Sequence, residues 1–195
     1  MADKKRRLTR DVVVETAAKM ANENGNVEAL TLTAVAEALG VRPPSLYNHV
    51  SGMQDLRRAM ALHAVKHLVA AVQRATVGLT GREALMATAL AYRAFARNHP
   101  GIYPLTIRAP DAEDDALVPL AQMFLQSLLL MLGSMGLEGE RALHAVRGLR
   151  AVLHGFVSVE AAEGFRMPLN REESFQLAVE TFLNGLSRSD AQASA

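Results

Sequence analysis

Residues 30–50 read Leu30-Thr31-Leu32-Thr33-Ala34-Val35-Ala36-Glu37-Ala38-Leu39-Gly40-Val41-Arg42-Pro43-Pro44-Ser45-Leu46-Tyr47-Asn48-His49-Val50. The spacing predicts two short helices around a tight glycine turn. Thr31 or Thr33 supplies a cap for the first, and Val35 and Leu39, four apart, mark its buried face. Gly40 ends it. The second starts at Pro43 or Pro44, since a proline at the first helical position loses no needed amide donor, and runs to Val50. Val35, Leu39, Val41, Leu46 and Val50 would form the small core where the two helices meet. Ser45, Asn48 and His49 then share the outward face. Short hydrogen-bonding side chains on a short helix suit the major groove of DNA. Arg42, at the helix entry, is placed to attract phosphate.

This stretch resembles the DNA-binding domain of the TetR family. Leu39-Gly40-Val41, Pro44-Ser45-Leu46-Tyr47 and His49-Val50 fall in the family's order and spacing. The resemblance implies that Pro43, Pro44, Ser45, Tyr47, Asn48 and His49 lie at the DNA, with Tyr47 on a phosphate, and that Thr33 is a further contact. The chain departs from the pattern at Met53, where many relatives carry a lysine that touches the DNA backbone. Lys4, Lys5, Arg6, Arg7 or Arg57 are the candidates to replace that charge.

Outward from this motif the chain reads as helical throughout. Thr9 can cap a first helix whose stripe is Val13, Ala17, Met20 and Ala21, closed by Gly25. A long helix from Met53 to about Val77 leads away from the motif. Further helices are expected over residues 82–98, a short kinked piece over 102–108, one from Asp111 as cap to about Met135, one over 138–163 and one over 171–186. Residues 187–195 read as a polar tail. The expected fold is all-α with about nine helices: residues 1–52 as a helix-turn-helix domain, and 53–195 as a helical ligand-binding and dimerisation domain.

Composition narrows the function classes. Half of the 195 residues are hydrophobic, so a sizeable core can be buried. The net charge is only +1, which argues against a polycation that coats nucleic acid without sequence preference. The basic stretch Lys4–Arg10 reads as a terminal arm. With no cysteine there is neither a disulfide nor a thiolate metal site. No run reaches the roughly 18 apolar residues of a spanning helix, and the N-terminal basic residues lack the apolar stretch of a signal peptide. A cytoplasmic protein without membrane contact is expected. Sequence motifs for a catalytic nucleophile or a phosphate-cradling loop are missing, so neither enzymatic activity nor a cofactor is expected. His63 and His67 share a helix face, but no third ligand stands at a supporting spacing, so no metal is expected.

The second half resembles the C-terminal domain of a TetR subgroup named for a Trp-His-Gly motif. The resemblance rests on residues 149–165, which include His154-Gly155, on Asn98-His99-Pro100-Gly101-Ile102-Tyr103 upstream and on Glu173-Ser174-Phe175 downstream. The chain contains no Trp, and Arg150 lies about one turn before His154. A glycine inside a helix costs about 1 kcal/mol against alanine, so it usually admits a close neighbour. At Gly155 that neighbour is either the helix of a second subunit or a bound ligand. Tyr103, Met123, Phe124, Arg150, His154 and Phe156 are the candidate pocket residues. The resemblance implies a homodimer that binds a near-palindromic operator and answers to a small-molecule effector. The alternative is a helical ligand-binding or enzymatic domain whose helix-turn-helix is purely structural.

Overall fold

The computed structural model describes residues 7–193, with side chains to Leu186, and consists of seven α-helices and two 3-10 helices; no strand occurs among the described residues. The helices are α1 (Arg10–Asn24), α2 (Leu32–Ala38), α3 (Met53–Ala75), α4 (Gly81–Asn98), α5 (Leu117–Gly133), α6 (Gly139–Ala161) and α7 (Arg171–Ala193). The 3-10 helices are Pro43–Asn48 and Tyr103–Thr106. The all-α expectation holds. Lys4, Lys5 and Arg6, the basic arm's outer part, lie outside the described residues.

The chain forms two compact units. One comprises the residues up to His67 together with Asn98–Leu117; the other comprises Leu68–Arg97 and the residues from Val118 on. Residue 52, the expected boundary, is where α3 begins, and α3 contributes its first part to one unit and its last turns to the other.

In the first unit the hydroxyl of Thr9 accepts from the amide of Val12, as its capping role requires. The stripe expected on α1 is buried at Val13, Ala17 and Ala21, while Met20 is half-buried. Val35 and Ala36 of α2, Leu46 and Val50 beyond it, and Leu56, Met60 and Ala64 of α3 are buried as well, as are Val14, Ala18, Val27, Leu30, Ile102 and Tyr103. In the second unit, α6 buries Ala142, Ala145, Leu149, Leu153 and Val157 at three- and four-residue steps. The buried side chains of α7 are Phe175, Val179 and Leu183, again one stripe. Burial of these stripes, more than helix propensity, is what stabilises such helices.

Three local expectations change. The residue that caps α5 is Asp114, not Asp111: its Oδ1 accepts from the amides of Ala116 and Leu117, and α5 begins six residues after Asp111. The segment read as a polar tail continues α7 to Ala193, because no glycine or proline interrupts it after Gly185. The second helix of the helix-turn-helix motif is a 3-10 helix. Pro43 and Pro44 occupy its first two positions, where no in-helix donor is lost.

Candidate nucleic-acid interface

The reading element is built by its turn. Thr31 caps α2, its hydroxyl accepting from the Ala34 amide at 3.2 Å. Thr33 therefore lies inside α2, exposed. At the other end the amide of Gly40 donates to Glu37 and that of Val41 to Ala36, both at 3.0 Å. This paired pattern closes a helix through a left-handed residue, and Gly40 has φ 65°, which a side chain would strain. The chain then runs extended through Arg42 into the 3-10 helix.

Within that helix the side chains divide cleanly. Leu46 and Val50 are buried and anchor it, while Tyr47 stands 61% exposed between them. Arg42, Pro43, Pro44 and Asn48 are exposed as well, and Ser45 and His49 are half-buried. Residues three apart eclipse on a 3-10 helix, so Ser45 and Asn48 line up one above the other. His49 caps the helix, its amide donating to the Leu46 carbonyl at 2.8 Å. The structure thus gathers Arg42, Pro43, Pro44, Ser45, Tyr47, Asn48 and His49 on one short element, with Thr33 on α2 before it.

Two basic residues near this element are engaged within the protein. The guanidinium of Arg10 donates from Nη1 to the His49 carbonyl at 2.7 Å and to Asp55 Oδ2 at 2.9 Å, and from Nη2 to Asp55 Oδ1 at 2.6 Å. Asp55 Oδ2 also accepts from the Ser51 amide at 2.9 Å. The Arg10 hydrogen bond, helped by that amide, lowers the Asp55 carboxyl to about 2. Arg57, considered as a substitute for the charge missing at Met53, pairs with Glu28 at 2.7 Å.

Behind the reading face, α1 and α3 border two clefts. One, of about 370 Å³, is lined by Arg10, Asp55, Arg58, His63, Lys66 and Asp114 among others. The other, of about 540 Å³, is lined by Glu15, Lys19, Asn22, Glu23, His63, His67 and His99 among others. The His63 and His67 rings are 4.2 Å apart between centroids, and those of His67 and His99 are 6.4 Å apart. His99 was out of reach of spacing rules because it arrives from another part of the chain. The three do not form a metal set: no group of acidic or imidazole side chains among the described residues has that geometry. Burial, reinforced by the charge of His67, lowers the pKa of His63 and of His99. Asn22 closes the junction: its Oδ1 accepts from the amides of Gly101 and Ile102, each at 3.1 Å.

The six candidate ligand residues are divided between the two units. Tyr103 belongs to the first unit and is buried there; the other five belong to the second. Phe156 packs against Phe165 and Phe175, with ring centroids at 4.7 and 5.1 Å. Arg150 and Met123 are exposed, whereas Phe124 and His154 are half-buried. Ser158 Oγ lies 3.4 Å from each ring nitrogen of His154. What the sequence reading missed is Arg93 on α4. It is 3% exposed, donates to both carboxylate oxygens of Glu160 at 3.0 and 2.7 Å and to Glu172 at 2.6 Å, and lies over the rings of Phe156 and Phe175. An arginine amid a helix gives no signal of its partners, which here are 67 and 79 residues away.

Residues 85–182 match the family described as the tetracyclin repressor-like C-terminal domain. Over 92% of its length the chain is 34% identical to the uncharacterised HTH-type transcriptional regulator YobS of Bacillus subtilis, 93% of which is covered. A protein of unknown function from Rhodococcus sp. RHA1 superposes with a TM-score of 0.77 at 23% identity, covering 95% of this chain and 100% of that one. A TetR variant from Acinetobacter baumannii AYE, solved in complex with minocycline, superposes with a TM-score of 0.68 at 21% identity, covering 93% and 98%. The two structures share the fold.

Proposed function

The chain belongs to the TetR family of helix-turn-helix transcriptional regulators, and from that premise we propose that it is a repressor which grips a near-palindromic operator as a homodimer and releases it when a small molecule binds the second unit. The observation that carries the reading is the divided 3-10 helix. Leu46 and Val50 fix it in the core, and Tyr47 and Asn48 between them are exposed. Tyr47, exposed to 61% on an anchored element, is available to a partner outside the chain.

Ser45, Asn48 and His49 serve as base readers in this proposal. Tyr47, Thr33, Arg42, Pro43 and Pro44 serve as backbone and entry contacts. One short helix spans only a few base pairs, so a twofold dimer on two half-sites is the natural way to reach specificity. α6 and α7 supply its interface. Leu143, Val159 and Leu177 are exposed on them, and Gly155 faces outward with nothing within 4 Å of the position its Cβ would take. Apolar side chains on paired helices need cover, and a self-complementary face supplies it.

The Acinetobacter relative was solved with minocycline, which supports a sensing role without naming an effector here. Met123, Phe124, Arg150, His154 and Phe156 are the second unit's ligand candidates, with Tyr103 in the first. The Trp-His-Gly subgroup is likewise proposed, on residues 149–165 with the flanking segments 98–103 and 173–175. No helix among the described residues is long and apolar enough to cross a membrane, and the proposed location is the cytoplasm.

The test is a footprint on the DNA that flanks the protein's own coding region, with bulk competitor present. The expected result is two protected half-sites about one helical turn apart, or a multiple of it. Tyr47→Ala should weaken that protection by about tenfold or more while the circular dichroism spectrum stays native. Affinity for no duplex would favour a structural helix-turn-helix, equal affinity for every duplex a nonspecific DNA binder, and either would sink the repressor reading.

A further inference from the structure

We propose that Arg10 is a positioning residue for the reading helix, not a contact to the DNA backbone; the proposal rests on the DNA-reading role given above to residues 42–49. Arg10 stands at the start of α1, directly after the basic arm, where its charge would ordinarily be assigned to phosphate. Its fork instead engages groups of its own chain, with the side chain 47% exposed. Nη1 and Nη2 both meet the Asp55 carboxylate, and Nη1 also meets the carbonyl of His49.

The geometry joins three elements at one point. His49 is the residue that caps the reading helix, so its carbonyl lies at the end of a helix where in-helix partners run out. Asp55 lies in the first turn of α3 and holds the Ser51 amide, the first residue after Val50. Arg10 belongs to α1. One planar guanidinium therefore ties the end of the reading helix to both long helices that flank it. Two parallel hydrogen bonds to a carboxylate fix an angle as well as a distance. The pair also cancels its own charge: Asp55 stays ionised at neutral pH, with its carboxyl lowered to about 2 by this contact. A neutralised guanidinium releases few counterions from a phosphate.

The consequence separates two properties of DNA binding. Backbone contacts tolerate a small tilt of the reading helix; base-edge contacts do not. Loosening the clasp should therefore cost discrimination between sequences and leave bulk attraction to DNA nearly intact.

The experiment uses the full-length protein and two duplexes of equal length, one enriched from a random pool by the wild-type protein and one scrambled. For Arg10→Ala, affinity for the enriched duplex should fall about tenfold, the scale of a single mismatched base pair. Affinity for the scrambled duplex should stay within about twofold, and the slope of log affinity against log salt should be unchanged, since only a lost phosphate contact reduces it, by about 0.9. Arg10→Lys should restore part of the discrimination, because an ammonium can replace one hydrogen bond but not the fork. Asp55→Asn should lose discrimination as Arg10→Ala does, and it tests the clasp from the other side if Arg10→Ala folds poorly. A slope reduced by about 0.9 with discrimination retained would make Arg10 a phosphate ligand and overturn the proposal. Equal losses on both duplexes together with a lower melting temperature would make its role merely structural and overturn it too. If the wild type enriches no sequence at all, the repressor reading itself fails, and this proposal fails with it.

Discussion

Gly101 packs directly on the backbone of Ala21. A Cβ at Gly101 would overlap the carbonyl of Ala21 and come within 2.6 Å of the Asn22 amide nitrogen. The same contact lets Asn22 accept from the amides of Gly101 and Ile102. Backbone cannot swing aside as a flexible side chain can, so Gly101→Ala must push α1 and the 3-10 helix Tyr103–Thr106 apart. The expected cost is about 1–3 kcal/mol, read as a lower urea midpoint. An unchanged midpoint would mean that this junction yields freely.

Arg93 should be the most sensitive single charge in the second unit. Its side chain is 4% exposed and that of Glu160 is 11% exposed, whereas Glu172 is 47% exposed. Removing one member of a buried pair strands the other without solvent, so Arg93→Met should cost about 3 kcal/mol. Glu172→Gln should cost under about 1 kcal/mol, because water can take over at the half-exposed end. Urea denaturation of both variants checks the order. Similar losses would show that Glu172 shares the burden equally with Glu160.

How much of this was legible in the sequence depends on the distance over which each residue acts. Thr9, Gly25 and Gly40 act on their own turns, and their capping or stopping roles could be read directly. The apolar stripes of α1 and α6 follow from helical periodicity alone. Gly101 was legible only as part of the segment that carries the family resemblance; its contact with Ala21 lies 80 positions away and has no local trace. His99 and Arg93 failed to show for the same reason. The cap at Asp114 was misplaced within an acidic run in which several residues had cap chemistry, and the tie came from Arg58, 56 residues earlier. The outward face of the 3-10 helix was legible because its pattern is local: buried Leu46 and Val50 alternate with exposed Tyr47 and Asn48 within one turn and a half. A pocket needs side chains from several helices at once, and no spacing rule assembles those.

Acid should weaken the first unit through its imidazole cluster. His63 and His99 have pKa values below the usual histidine range, from burial first and then from the positive charge His67 can carry. Glu15 acts in the opposite sense on His63, and Lys66 in the same sense as His67. Lys19 and Glu23 border the same cleft. A histidine depressed in the folded state leaves stability untouched above the unfolded value of about 6.5. As pH falls from there through the lowered folded values, the unfolded chain takes up protons first and stability is lost. The unfolding constant should rise about tenfold for each unit of depression. His67→Gln, at an exposed position, removes the shared neighbour and should shrink the loss between pH 7 and 5. An acid loss identical to wild type would show that the rings do not act on one another.

Gly155 and Gly148, both in α6, should respond oppositely to the same added methyl group. At Gly148 a Cβ would come within 2.7 Å of the Phe182 ring on α7, so Gly148→Ala strains the chain's own packing. That loss is internal and should not depend on protein concentration. At Gly155 nothing lies within 4 Å, and alanine is the better helix former by about 1 kcal/mol. The isolated subunit should therefore gain stability from Gly155→Ala. If this face meets its copy in a dimer, the methyl groups keep the two helices apart, and sedimentation equilibrium should show dissociation at about tenfold lower protein dilution than wild type, the effect of roughly 1.4 kcal/mol at an interface. A variant that is more stable and dimerises as before would move the interface off the Gly155 face. Gain in the monomer with loss in the dimer is an outcome that ligand binding at the same glycine does not produce.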